Sequence, residues 1–234
     1  MLKIENTLIG YDNNPIMEID MLSIVPGEVT ALIGKSGCGK STLFSTIAGH
    51  IPMIKGNISL DGHTAQSYKK ENIALTLQGF PLYHWLTVEE NLALAAKIKD
   101  ANNTQFTEIL KQFSAEHLAN VYPSQLSGGE KCRASLSQAI LTEPTLLMLD
   151  EPFVGLDTIT KNAIGENLFS FVKNHKIAAL MITHDIHDAI EHAQKIIVFG
   201  QKRGSDITTI KHIFDSNQEN VYQDIIDKLQ EEYI

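Results

Sequence analysis

Two cysteines, Cys38 and Cys132, are all that 234 residues provide, which is too few for a disulfide framework and fits a reducing compartment. No apolar run nears the roughly 18–20 residues that cross a bilayer. The opening "MLKIENTLIGYDNN" also lacks the apolar stretch of a secretory signal. The chain is therefore expected in the cytoplasm, reaching a membrane only through a partner. Positive charge is scarce: 19 Lys+Arg stand against 28 Asp+Glu, for a formal net charge of -9. Without a basic run, bulk electrostatic binding of nucleic acid or of anionic lipid is excluded. Internal repeats, low-complexity segments and linkers are missing too.

What is present is a strand–helix alternation. "VTALIG" (29–34), "TLLMLD" (145–150), "IAALMIT" (177–183) and "KIIVFG" (195–200) are almost continuously apolar, as strands buried on both faces are. Helix-like stretches at 40–48, 158–174 and 185–194 lie between or after them, which implies an α/β core with a mostly parallel sheet. "LKIENTLIGY" and "PIMEIDMLSIV" alternate apolar and polar residues, and "GNISLDG" (56–62) ends in a turn signal, so an antiparallel β layer is expected near the N-terminus. Residues 87–142 read as helices, at 91–98 after the capping box Thr87–Glu90, at about 104–113 and at 127–142, closed by Pro144. The expected organisation is one domain, 1–234. Residues 1–79 and 143–200 form the core, about 80–142 a helical subdomain and 201–234 a C-terminal extension. In that extension Val221, Ile225 and Leu229 form an apolar stripe at four-residue spacing, for packing on the body or for a dimer contact.

"GKSGCGKST" (34–42) follows a strand and opens a helix, and fits the phosphate-binding pattern G-x-x-x-x-G-K-[ST]. Gly34, Gly37 and Gly39 let backbone N–H groups wrap a phosphate, with Lys35, Ser36, Cys38 and Thr42 completing the loop and Cys38 filling space. The helix N-terminus adds roughly half a positive charge. Lys40 reaches β- and γ-phosphates and the Ser41 hydroxyl ligates Mg²⁺. "LLMLDEP" (146–152) carries two acids out of the C-terminal end of a strand, where α/β ligands bind. Asp150 is assigned to Mg²⁺ and Glu151 to the attacking water.

"QLSGGEKCR" (125–133) poses a puzzle. Ser127 and Glu130 make a capping box, yet Gly128 and Gly129 would occupy the first helical positions at about 1 kcal/mol each against alanine. "GFPLYHWLTVEENL" (79–92) carries Phe80, Leu82, Tyr83, Trp85 and Leu86, either as local core or as a docking surface. "HDIHDAIEH" (184–192) concentrates three histidines, but His187–Glu191 and Asp188–His192 read as i,i+4 surface pairs rather than a metal site.

Taken in order, these motifs resemble the nucleotide-binding domain of ABC transporters, across residues 1 to about 200. "GKSGCGKST" resembles its Walker A, Gln78 its Q-loop, "LSGGE" its signature, "LLMLDE" its Walker B, "GLD" (155–157) its D-loop and His184 its switch histidine. The resemblance implies a Mg²⁺-dependent ATPase that pairs head to tail with a second copy or a homologous subunit, sandwiching two ATP. It implies that Ser127, Gly128 and Gly129 meet the γ-phosphate bound by the partner, with Ser127 capping its helix in the free form and turning to phosphate in the closed dimer. It further implies adenine stacking on Tyr11, catalytic roles for Glu151, His184 and Gln78, Mg²⁺ contact by Gln78, and coupling by Asp157. Lys131–Cys132 departs from the family's glutamine-rich continuation, while Arg133 matches. Separate permease subunits would dock near Gln78–Leu86 at the cytoplasmic face of the membrane, with an extracytoplasmic solute-binding protein in the case of import. "WLTVEENLAL" is most similar to importers of the nitrate, sulfonate and taurine group. Alternatives are an ABC ATPase that moves lipids or lipoproteins or remodels the cell envelope, and a soluble ABC ATPase outside transport.

Overall fold

The computed structural model describes residues 1–64, 73–98, 105–141, 143–202 and 204–231. The first residue of the helix expected at 104–113, the last of the one expected at 127–142 and the end of the tail lie outside these. In chain order the elements are β1 (Leu2–Tyr11), β2 (Asn14–Ile24), β3 (Val29–Ile33), α1 (Lys40–Ile47), β4 (Lys55–Leu60), β5 (His63–Thr64) and β6 (Ile73–Thr76). The helices α2 (Val88–Ile98), α3 (Phe106–Gln112) and α4 (Gly128–Ile140) follow, with two short 3₁₀ turns before α4. Then come β7 (Leu146–Asp150), α5 (Thr158–His175), β8 (Ala178–Ile182), α6 (Ile186–His192), β9 (Lys195–Gln201), β10 (Thr208–Asp215) and α7 (Val221–Glu231).

The ten strands of the described residues join one sheet in the order β5-β4-β1-β2-β10-β9-β3-β8-β7-β6. The strands β9, β3, β8, β7 and β6 are mutually parallel. Their side chains alternate between two cores: Leu147 and Leu149 of β7 face the cluster that the helices α2 to α7 cover, while Leu146 and Met148 face the one that takes Leu43, Phe44 and Ile47 of α1. This two-sided burial is why these strands read as unbroken apolar runs rather than alternating ones.

The strands β1, β2 and β4 form the expected antiparallel unit near the N-terminus, and its side chains share one core cluster with α1 and the parallel strands. They continue the sheet of the parallel strands through β10, which runs antiparallel to β9 and meets β2 in parallel at only two pairs, Thr208–Met17 and Thr209–Glu18. The sequence reading contains neither β6 nor β10. "IALT" is too short to display a period, and β10 is half-buried along most of its length, so neither face stands out.

The stripe on α7 packs against the body: Val221 and Ile225 are buried and Leu229 lies against the same core. The pairing expected on the surface of α6 is a correction. Asp188 and His192 are both buried, because α5 and the turn after β7 cover that face of the helix. Truncating the fully buried Ile225 to alanine will destabilise the protein by about 2–5 kcal/mol. Urea denaturation measures it, and a loss near zero would mean that α7 does not fold with the body.

Candidate functional site

The P-loop leaves β3 and turns through Gly37 and Gly39, whose φ angles of 81° and 95° lie in the left-handed region where side chains are disfavoured. The helix α1 then starts with no side-chain cap and no acid in its first turn, so its free N–H groups face the loop. Lys40 Nζ donates to the carbonyls of Gly34 (2.7 Å) and Lys35 (2.9 Å), folding its charge over the loop it belongs to. The loop opens on a cavity of about 470 Å³ whose lining includes Gly34, Ser36, Gly37, Gly39, Lys40, Ser41 and Thr42. Gln78, Asp150, Glu151 and His184 line the same cavity.

These come from different elements held in register. Asp150 ends β7 opposite Ile182, the last residue of β8, and His184 follows two residues on. Glu151 lies just beyond the strand with φ 50°, its N–H bonded to Ile182 O at 2.9 Å. A non-glycine residue held there costs of order 1–3 kcal/mol, a strain typical of functional turns. In that posture the Glu151 carboxylate Oε2 lies 2.9 Å from His184 Nδ1. Burial first, and the charge of Glu151 second, push the Asp150 carboxyl above its ordinary range, with Lys40 opposing them. Two acids crowded beside one lysine, with the Ser41 hydroxyl and the Gln78 amide on the same wall, form a donor set that fits a hard divalent cation.

Ser127, Gly128, Gly129 and Asp157 lie together, away from this lining. The Ser127 cap is realised in full: its hydroxyl donates to Glu130 Oε2 (2.7 Å), its N–H donates to the same oxygen (2.8 Å), and its Oγ accepts from Glu130 N (3.4 Å). These bonds hold the Glu130 carboxyl below its ordinary range. Asp157 caps α5, accepting from Thr160 N at 3.0 Å and from the Thr160 hydroxyl at 2.7 Å. The two glycines differ. A Cβ on Gly129 would stand 2.9 Å from Thr160 Cγ2, so the bare backbone is already needed inside one chain. A Cβ on Gly128 would meet only ordinary contacts, and that residue is exposed.

Lys35 and Cys38 line a smaller adjoining cavity of about 150 Å³, bounded by Phe199, Gln201, Asp206 and Leu229. Tyr11 is exposed at the end of β1 and lines neither cavity. Sequence reasoning missed Ile16, which lines both cavities from β2, and Ile182. Each is one apolar residue within a strand, and nothing in the local pattern sets it apart.

A phosphate cradle of this build, at the end of a parallel strand with acids on a neighbouring strand, defines the P-loop class of nucleotide-binding α/β proteins. Within that class, the chain belongs to the ABC transporter family, whose family model matches residues 18–154. It is 34% identical over 200 residues to the sulfate/thiosulfate import ATP-binding protein of Nephroselmis olivacea, covering 83% of this chain and 58% of that protein. It is 34% identical over 192 residues to the aliphatic sulfonates import ATP-binding protein of Bacillus subtilis, covering 82% of this chain and 75% of that one. A solved dimeric ATP-binding cassette in a post-hydrolysis state, bound to ADP and Pi, superposes with a TM-score of 0.78 at 25% identity, covering 94% of this chain and all of that one (100%).

The Gly129–Thr160 contact predicts non-additivity. Gly129→Ala combined with Thr160→Ser, which removes the obstructing methyl, will be more stable than the sum of the single changes by about 1 kcal/mol. A thermal-unfolding cycle reads the coupling, and purely additive effects would refute the steric account.

Proposed function

We propose that this chain is the ATP-hydrolysing subunit of a membrane importer for small solutes, working as a head-to-tail dimer around two Mg-ATP and docked on separate permease chains. One observation carries the reading: the P-loop, Gln78, both acids and His184 converge on one cavity from separate segments, with Glu151 and His184 already bonded. The triphosphate lies along the P-loop, where Gly37, Gly39 and the start of α1 supply N–H groups and Lys40 exchanges its own-loop carbonyls for phosphate oxygens. Ser41, Gln78 and Asp150 would hold Mg²⁺, which neutralises phosphate charge when bound. Glu151 orients a water and accepts its proton, and His184 fixes the carboxylate and faces the γ-phosphate. Solute import is supported by the similarity to the sulfate/thiosulfate and sulfonate import proteins.

Dimerisation is supported by the division of the site. Ser127 and exposed Gly128 lie outside the phosphate cavity of their own chain, so a second chain is needed to bring them to nucleotide. The Ser127 hydroxyl proton, spent on Glu130 in the free subunit, must then be redirected to phosphate. Permease docking is supported by a second cavity, about 330 Å³, lined by Thr76, Pro81, Tyr83, Ala95, Ile98 and Gln138 among others. Phe80 and Leu82 pack on the core, whereas Tyr83 of this lining and the Trp85 ring beside it stay exposed, and the buried Thr76 hydroxyl has no hydrogen-bond partner among the described residues.

Glu151→Gln will retain ATP binding while hydrolysis falls roughly 10²-fold or more, read by phosphate release and by nucleotide fluorescence. Near-normal turnover would remove Glu151 from its role. In that slow background, ATP will drive dimerisation on size exclusion, and Ser127→Arg will abolish the dimer while P-loop binding of ATP persists. A variant that still dimerises would rule out the head-to-tail sandwich.

A further inference from the structure

The imidazole of His192 is enclosed where an apolar residue would be expected. It is 3% exposed at the end of α6, and its Nε2 is buried without a hydrogen-bond partner among the described residues. Its ring lies against Phe153 (centroids 4.7 Å apart) and stacks on Phe169 (5.7 Å, 28° between planes). A further wall is Gly165, one turn before Phe169 in α5, where a Cβ would stand 2.5 Å from the ring's Cε1 and 2.6 Å from Nδ1. The fold therefore accepts two unfavourable choices, an orphaned nitrogen and a glycine in a helix interior, to keep an imidazole at this point. Phe153 is itself fully enclosed and follows Glu151 by two residues, within the turn closed by Val154 N–H to Glu151 O and Leu156 N–H to Phe153 O.

We propose that His192 is a positioning residue whose neutral imidazole seats Phe153, and with it the Glu151 turn, so that protonating the ring unseats that turn and slows hydrolysis. The proposal rests on the reading of Glu151 given above. The charged groups acting on the ring are Asp188 and Glu191 on its own helix and Lys161 and Glu166 on α5, while the turn after β7 presents the Phe153 ring to it. Asp188 is largely satisfied by Lys161, at 3.0 and 3.1 Å. Burial outweighs the attraction of the acids and holds His192 below its ordinary value. A histidine depressed in the folded state contributes stability that is complete above the unfolded value of about 6.5 and is lost as pH falls from there toward the folded value.

The test compares wild type with His192→Leu in ATP turnover and in thermal midpoint across about pH 5.5 to 8. Every other group is common to the two proteins, so the difference between them isolates His192. The fall in kcat on going from about pH 8 to the acid end of the range will be smaller in His192→Leu, with KM for ATP unchanged, and its thermal midpoint will lose part of its acid dependence. Superimposable profiles in both measurements would overturn the proposal. Should His192→Leu fail to fold, NMR of the wild type decides the matter: Phe153 ring resonances that shift with the same midpoint as the His192 Cε1–H support the proposal, and Phe153 resonances that stay put as that proton titrates overturn it. Gly165→Ala, which pushes the ring out of its seat, will lower kcat throughout the range, and an unchanged kcat would count against the coupling. A wild type without hydrolysis at any pH would instead refute the ATPase reading, and the midpoint comparison would still report on the ring.

Discussion

The register of three neighbouring parallel strands decides where the chemistry of this molecule sits. β3, β8 and β7 are paired so that the P-loop, the segment carrying His184 and the Asp150–Glu151 corner emerge side by side at the C-terminal ends of these strands. A shift of one residue in β7 would turn Leu147 and Leu149 toward the wrong core and carry both acids away from the loop. The same apolar alternation that fixes the fold therefore fixes the site, and the bond from Glu151 N–H to Ile182 O transfers the register of β8 to the first residue beyond β7.

A second theme is that polar groups of the resting subunit are occupied by substitutes. Lys40 rests on carbonyls of its own loop, the Ser127 hydroxyl on Glu130, and Asp157 on Thr160. In the proposed cycle each contact with nucleotide or partner is an exchange rather than a new bond. Only the difference between old and new partners then drives closure, which suits an assembly that must open again after each turnover.

Much of the phosphate cavity was legible because its spacing is set by local backbone chemistry: glycines where the chain must curl, a lysine at the helix start, acids at a strand end. The parallel core was legible from its apolar runs. Relations between distant segments were not. The bare backbone at Gly129 answers to Thr160, and the glycine at 165 answers to His192, contacts that no local period records. The same holds for β10, whose place between β9 and β2 depends on neighbours rather than on its own pattern.

Asn91 acts as a mechanical joint. Fully buried at the start of α2, its amide donates to the carbonyls of Tyr83, Leu86 and Thr87 and its oxygen accepts from Tyr83 N–H. One side chain thereby rivets the segment carrying Tyr83 and Trp85 to the end of a helix 11 residues long. A push on the exposed aromatic rings is not absorbed by a yielding loop. It is delivered to α2 as to the short arm of a crank, and through Gln138, whose amide reaches Asn91 O at 3.4 Å, to the helix that begins at the two glycines.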